Sequence, residues 1–161
     1  SAQKSLAKYV KMWKTDFTLS VKTERPFELE FENALIAGSI DMIKREEGNE
    51  EVLEVIDFKT GKPDNELMHK YELQVQLYTI AAQEALGIKT QKALIHFIDT
   101  DKNDRQAVIT SPEALDTARE ELSYAINGVN KANFKRDSRQ NKTCKVCDWC
   151  DLCPKRKGFK H

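Results

Sequence analysis

The segment over 51–62, EVLEVIDFKTGK, constrains the fold most strongly. Its β-branched and apolar residues predict a buried strand, which the turn signals of TGKPDN end. Because side chains alternate across a strand, Asp57 and Lys59 share one face, about 7 Å apart along it. Ile56 and Phe58 point to the other face, into packing. The acid and base on one face predict either a salt bridge on a solvated surface or a reactive site.

The remaining pattern alternates helices and strands. Apolar residues at helical spacing predict helices over 3–14, 65–86 and 112–131. Alternation and β-branched residues predict strands over 17–24, 27–45 with a hairpin break near Glu32 and Asn33, 51–59, 92–99 and 106–110. Gly87 is expected to end the second long helix, and Ser111 with Pro112 to begin the last one. This order predicts a mixed α/β fold with a central sheet.

A second acid precedes the 51–62 segment. In AGSIDMI, Asp41 follows Gly38 by three residues. If the strands that carry them pair as a hairpin, Asp41 lies near Asp57, and two close carboxylates repel unless a cation joins them. A few carboxylates plus waters are the usual ligands of Mg²⁺, which polarises a phosphoryl oxygen and lowers the pKa of bound water. Lys59 would orient the attacking water or stabilise developing charge, and Gly38 would let the neighbouring backbone approach.

These motifs together resemble the RecB-like branch of the PD-(D/E)xK nuclease superfamily. In that pattern G-x-x-D is followed by D-x-K-T-G and then by a helix with Gln and Tyr four residues apart. The resemblance covers about 24–80 plus the cysteine segment and implies a restriction-endonuclease-like core over 1–131, with a cysteine-rich metal-binding segment over 132–161 packed on it. The matching residues are Gly38, Asp41, Asp57, Lys59, Thr60, Gly61, Gln74 and Tyr78.

The resemblance implies a metal-dependent deoxyribonuclease that hydrolyses phosphodiester bonds, as an exonuclease on single-stranded ends. It implies the C-terminal part of a RecB-like exonuclease or helicase–nuclease, with a helicase domain in the same chain or in a partner. The residues and roles it implies are Asp41, Asp57 and the Phe58 carbonyl as ligands of Mg²⁺ or Mn²⁺, Lys59 as the catalytic lysine, Gln74 and Tyr78 as holders of DNA or of the lysine, and Glu24 as the acid that opens the strand before G-x-x-D.

The sequence departs from the family pattern at two points. Many members carry a histidine on an N-terminal helix, but His69, His96 and His161 all follow Asp41. Met42 stands where an arginine often follows the motif aspartate. Either the sequence begins after that helix or this branch lacks the ligand. The alternative function is therefore a catalytically inactive DNA-binding or assembly module of a DNA repair helicase.

All the cysteines lie in CKVCDWCDLCP, at Cys144, Cys147, Cys150 and Cys153. A straight helix would separate the first and last by about 14 Å of rise, whereas sulfurs around one Zn²⁺ lie about 4–5 Å apart. The segment must therefore coil around its metal. Four thiolates suit Zn²⁺, whereas Cys144, Cys147 and Cys153 resemble the C-terminal ligands of a [4Fe–4S] cluster in iron–sulfur nucleases of this family. A zinc-ribbon interaction module is a further alternative.

Composition adds little about partners. Lysine plus arginine equals aspartate plus glutamate, 26 each, so net charge alone indicates none. No run is long enough for a membrane span and no signal peptide opens the chain, so we expect a cytoplasmic, nucleoid-associated protein without a membrane partner. The opening SAQ, without an initiator methionine, suggests a fragment of a longer protein. The basic PKRKGFKH is either a solvated tail or a phosphate contact.

Overall fold

A computed structural model of the chain describes residues 2–100 and 104–133. The described residues up to 126 form one compact unit that contains the whole sheet. The elements are α1 (Ala2–Met12), α2 (Lys14–Leu19), β1 (Ser20–Phe31), β2 (Ala34–Glu46), β3 (Asn49–Lys59), α3 (Asn65–Glu84), β4 (Lys92–Phe97), β5 (Asp104–Val108) and α4 (Pro112–Asn130).

The five strands form one mixed sheet in the order β1-β2-β3-β4-β5. Successive strands pair antiparallel except for β3 and β4, which run parallel. A parallel pair needs a crossover, and α3 supplies it. The mixed sheet with flanking helices confirms the predicted α/β class and is consistent with a restriction-endonuclease-like core. The predicted cysteine segment lies outside the described residues, and the domain boundary predicted at 131 stays a prediction.

The two faces of the sheet are covered by different helices. Helix α3 packs on one face, where Val75, Tyr78 and Ile80 join the core. Helix α1 covers the other face, where the ring of Tyr9 packs against Phe58 at 5.4 Å and against His96 at 5.3 Å. Strand β3 therefore lies between two helical layers, which explains the nearly continuous apolar character of its sequence.

Helix α2 is held to the sheet by buried charges that the sequence did not reveal. Asp16 is almost completely buried and accepts a hydrogen bond from Tyr9 at 2.9 Å. It also pairs with Lys44 at 3.3 Å and with Arg105. Lys44 in turn pairs with Glu54 at 3.0 Å. Removing one member of such a network would leave an uncompensated charge, so it locks α2 in place.

The predicted elements match the structure with two corrections. The turn at Glu32 and Asn33 joins β1 to β2 as predicted. The strand predicted over 17–24 was wrong at its start, because 17–19 belongs to α2. The separation of the strands predicted over 17–24 and 27–45 was also wrong, because β1 runs continuously through Pro26, which faces Ser39. An edge strand tolerates proline, since its outer N–H needs no partner in the ladder.

The ends of the long helices follow their local chemistry. The side chain of Asp64 caps α3 by accepting from the N–H of Glu66 at 2.9 Å. Gly87 has φ +66° just after α3, as predicted for the residue that ends it. Ser111 caps α4, accepting from the N–H of Ala114 at 3.3 Å. No helix of the described residues is both long enough and apolar enough to cross a membrane.

Candidate active site

The site lies where β2 and β3 separate. Their ladder runs from Glu46 opposite Asn49 to Met42 opposite Ile56, and it stops there. Asp41 and Asp57 are the next residues on the two strands. With the ladder ended, the N–H of Phe58 donates instead to Oδ2 of Asp41 at 2.8 Å. The fork brings the two predicted carboxylates together, although Asp41 lies within β2 rather than at its end.

A chain of polar contacts fixes Lys59 beside Asp57. Lys59 Nζ lies 2.8 Å from Oδ2 of Asp57 and donates to Oε1 of Gln74 at 2.7 Å. Gln74 Nε2 donates to the hydroxyl of Tyr78 at 2.9 Å, one turn further along α3. The ammonium group also lies 4.9 Å from the ring centroid of Tyr71, within the range of a cation–π contact. Four groups thus hold the lysine in one position.

Asp57 is the buried acid of the pair. It is 2% exposed, and its Oδ2 lies 2.8 Å from the ammonium group of Lys59. Burial raises the pKa of Asp57 above its ordinary value, and Lys59 partly offsets this. The negative charge of Asp41 raises that pKa further. A buried carboxylate beside a second carboxylate is costly, and a cation that joins the two would be stabilised there.

Glu24 lies in the same row of the sheet as the two aspartates. Thr23 faces Met42 and Met42 faces Ile56, so the next residues along the three strands are Glu24, Asp41 and Asp57. Glu24 adopts φ +44°, in the left-handed region. A non-glycine residue there costs on the order of 1–3 kcal/mol, and such strain is concentrated at functional sites. The sequence predicted the acid but not its backbone conformation.

The three acids of this row all affect the pKa of Tyr78. Burial raises the pKa of its hydroxyl, whereas the hydrogen bond from Gln74 lowers it. The negative charges of Asp57, Asp41 and Glu24 raise it. Tyr78 therefore stays protonated at neutral pH and keeps a proton to donate toward negative charge. The predicted set of Glu24, Asp41, Asp57, Lys59, Gln74 and Tyr78 converges on one face of the sheet, beneath α3.

The donor atoms fit a hard divalent cation. Within 2–100 and 104–133, no three His, Cys, Asp or Glu side chains come close enough to hold a metal ion together. The carboxylates of Asp41 and Asp57, with a backbone carbonyl, make a sparse oxygen set, as suits Mg²⁺, which keeps several waters. The mutual repulsion of the two acids, through which Asp41 raises the pKa of Asp57, supports this fit. Cys144, Cys147, Cys150 and Cys153 lie outside the described residues.

Neither histidine of the described part of the chain reaches the site. His69 is exposed on α3 and contacts Glu121 at 2.9 Å. His96 is buried on the opposite face of the sheet, against Tyr9 and Trp13. Arg105 Nε donates to its Nδ1 at 3.2 Å, and burial, followed by the charge of Arg105, lowers the pKa of His96 to about 4.

Two supporting residues were missed or misassigned from the sequence. Gly38 was expected to admit neighbouring backbone, but the ring of Phe27 lies across it instead: a Cβ on Gly38 would lie 2.8 Å from Cζ of that ring. The Phe27 ring packs edge-on against Tyr78 at 5.9 Å. Tyr71, whose ring lies beneath Lys59, was given no role at the site from the sequence. Its position one turn before Gln74 on the helix is the signal that could have found it.

A sequence profile of the PD-(D/E)XK nuclease superfamily matches residues 1–154. The chain belongs to the PD-(D/E)XK nuclease superfamily. PD-(D/E)XK nucleases use divalent metals such as Mg²⁺ or Mn²⁺. The predicted superfamily is thus confirmed, whereas the RecB-like branch and the iron–sulfur cluster remain predictions. Among curated proteins, none matches this PD-(D/E)XK chain.

Two solved structures share this PD-(D/E)XK fold. The protein SSO0001 superposes with a TM-score of 0.56 at 21% identity, over 92% of this chain and 65% of its own. A candidate exonuclease from Eubacterium rectale superposes with a TM-score of 0.59 at 17% identity, over 99% of this chain and 60% of its own. At these identities the likeness shows the fold alone. The chain spans less than two thirds of the length of either structure.

Proposed function

We propose that this PD-(D/E)XK domain is a RecB-like deoxyribonuclease that uses Mg²⁺ or Mn²⁺ to hydrolyse phosphodiester bonds, acting as an exonuclease on single-stranded ends. The observation that carries the proposal is the buried Oδ2 of Asp57. The charge of Asp41 acts on this carboxyl group and raises its pKa, and Lys59, 2.8 Å from Oδ2, supplies one positive charge beside the two acids. The candidate exonuclease from Eubacterium rectale, which shares the fold, supports the same reading.

The side chains divide the work. Asp41, Asp57 and the Phe58 carbonyl hold the divalent cation, which when bound polarises the phosphoryl oxygen and lowers the pKa of water. Lys59 lies on the same face and stabilises negative charge that develops on the phosphate oxygens. Gln74 orients Lys59 through its 2.7 Å hydrogen bond. Glu24, at the end of the acidic row, adds negative potential that favours cation binding.

Neutral Tyr78 completes the site. Its hydroxyl accepts from Gln74 and keeps its proton, so it can donate to a phosphate oxygen or to a water. Because Gln74 links Tyr78 to Lys59, the two phosphate-facing groups are held at one spacing. Such fixed positioning accounts for much of the catalysis of phosphoryl transfer, because preorganised donors need not reorganise during the reaction.

The test is cleavage of an end-labelled single-stranded oligonucleotide with Mg²⁺ or Mn²⁺, compared with chelator. Wild type should shorten the labelled oligonucleotide progressively. Asp57→Asn and Lys59→Met should lower the cleavage rate at least 100-fold. Lys89→Gln, which replaces an exposed lysine in the loop between α3 and β4, is the control and should cleave normally. Metal-independent cleavage, or full activity in Asp57→Asn, would contradict the proposal.

The second candidate function is an inactive DNA-binding or assembly module of a DNA repair helicase. It is favoured by the positions of His69 and His96, neither of which supplies the histidine ligand of many relatives, and by Lys59, which partly neutralises Asp57. Under this alternative, wild type and Asp57→Asn bind single strands equally and neither cleaves them. The cleavage assay, run beside a binding assay, separates the two functions.

We place the domain within a larger DNA-processing protein with a helicase domain or subunit. The support is its coverage of 60–65% of the two solved structures and the resemblance of its motifs to RecB-like proteins. The cysteines would hold a [4Fe–4S] cluster, with Zn²⁺ as the alternative. A visible absorption band with bound iron in anaerobically purified protein supports the cluster, and bound zinc without the band supports the alternative.

A further inference from the structure

Helix α1 is strongly basic. Its sequence AQKSLAKYVKM carries lysines at positions 4, 8 and 11 and no acidic residue. The spacings of four and three residues place the lysines in one stripe along the helix, spanning about 10 Å. Lys4 and Lys11 are exposed and Lys8 is half-buried. We call Lys4, Lys8 and Lys11 the lysine face.

Positive and negative charges are distributed unequally between the helices, although the total net charge is zero. Helix α4 is the opposite of α1, with four acids and Arg119 as its one basic residue within Pro112–Asn130. Within α4, Arg119 forms an ion pair with Asp116 at 3.1 Å. Glu120 is its neighbour in the sequence. A basic stripe on one element of a neutral protein is the electrostatic footprint of a polyanion partner.

The lysine face begins at the end of the sheet that carries the active site. Strands β3 and β4 run parallel, so their carboxyl ends share one edge, where Lys59 lies. Lys8 Nζ donates to the carbonyl of Thr100, just beyond β4. Gly61, two residues after Lys59, donates its N–H to Asp99 at 3.0 Å.

The N-terminal turn of α1 joins the same edge. Hydrogen bonds from the Ser5 hydroxyl and from the N–H of Gly61 lower the pKa of Asp99 below its ordinary value. Asp99 therefore ties the loop after Lys59 to the turn of α1 that carries Lys4. Helix α1 covers the face of the sheet opposite the acidic row, so a strand that follows this loop around the edge of the sheet would reach the lysine face.

We propose that the lysine face binds the phosphates of the DNA strand beyond the scissile bond. This inference rests on the proposed nuclease function, since it assumes a DNA strand at Asp57 and Lys59. The acidic row of Glu24, Asp41 and Asp57 repels phosphate, so the strand needs nearby cations to be held at the site. Lysines act as mobile point charges for phosphate and release counterions on binding, which gives sequence-independent affinity.

The test compares Lys4→Gln/Lys11→Gln with wild type in chelator, where no cleavage occurs. Anisotropy of a labelled single-stranded oligonucleotide gives affinity over a series of salt concentrations. Each phosphate contact contributes about 0.7 to the slope of log affinity against log salt for single strands, so the double variant should lower the slope by about 1.4. Lys22→Gln/Lys89→Gln, another exposed pair, is the charge-matched control and should keep the wild-type slope.

The outcomes separate this inference from the nuclease proposal. A reduced slope in the lysine-face variant, with the control unchanged, supports the inference. Equal slopes in both variants overturn it, even if wild type still cleaves DNA with Mg²⁺. If wild type neither binds nor cleaves DNA, the nuclease proposal fails and the inference fails with it. Melting temperatures within a few degrees of wild type confirm that the variants fold, as exposed substitutions should.

Discussion

Replacing Gly38 with alanine would place a methyl group against the ring of Phe27. The new Cβ would lie 2.8 Å from Cζ and 2.9 Å from Cε1 of that ring, whereas carbon atoms pack at about 3.5–4.0 Å. Phe27 is buried and packs against Tyr78, so the ring cannot turn freely into solvent. Either the ring or the backbone of β2 must move by somewhat less than 1 Å.

The expected cost follows from overpacking. Extra methyl groups in a packed core cost about 1–3 kcal/mol, which for a chain of this size lowers the melting temperature by roughly 2–12 °C. The displacement also reaches the site, because Phe27 packs on Tyr78 and Tyr78 is joined through Gln74 to Lys59. A shift approaching 1 Å in a positioning group can cost about 100-fold in rate.

Thermal melting and the single-strand cleavage assay measure both effects. The matched control is Gly128→Ala in α4, where a Cβ meets nothing within 4 Å and a helical glycine is replaced by a better helix former. Gly128→Ala should therefore stabilise the protein by about 0.5–1 kcal/mol, with unchanged cleavage. The two glycine substitutions should therefore change the melting temperature in opposite directions: Gly38→Ala should lower it and Gly128→Ala should raise it.

A second substitution tests the cause. Phe27→Leu removes the ring atoms that meet the new Cβ, so the Gly38→Ala cost should be smaller in the Phe27→Leu background. A coupling energy of about 0.5–3 kcal/mol is expected from the double-mutant cycle. If Gly38→Ala melts like wild type, or costs the same with leucine at position 27, the ring is not the obstacle and the reasoning is wrong.

Three further predictions concern titration and positioning. Asp57→Asn should lose cleavage yet raise the melting temperature of the metal-free protein at pH 7 by a few degrees. The pKa of Asp57 is raised in the folded protein, so its ionised form costs stability above that pKa. An unchanged or lower melting temperature would contradict this. Since the pKa of His96 falls from 6.5 to about 4, stability should drop by on the order of 3 kcal/mol as pH falls from 6.5 to 4, and His96→Gln should flatten that drop in urea titrations. Gln74→Leu should lower the cleavage rate about 10–100-fold, or about 1.4–2.8 kcal/mol, whereas Gln76→Leu on the same helix should not; equal effects would remove the assigned role of Gln74.

Local patterns predicted the fold well where they follow short-range rules. The β2–β3 hairpin and α3 were visible because periodicity, turn residues and caps lie close together in sequence. The site was predicted because strand alternation and a hairpin suffice to bring Asp41 to Asp57. Buried Asp16 was not predicted: its three partners lie on other elements, and a short polar segment gives no sign that its charge is compensated. Such distant pairings require the three-dimensional structure.

The hairpin of β2 and β3 also provides a site where a label can be inserted, at the end opposite the fork. The tight turn at Glu47 and Gly48 closes the hairpin at the end opposite the acidic pair. Glu46 lies five positions after Asp41, so the turn is about 17 Å along the strand from the acidic pair. A short epitope or fluorescent peptide inserted at this exposed tip would report on the domain from a fixed distance without touching Asp41 or Asp57.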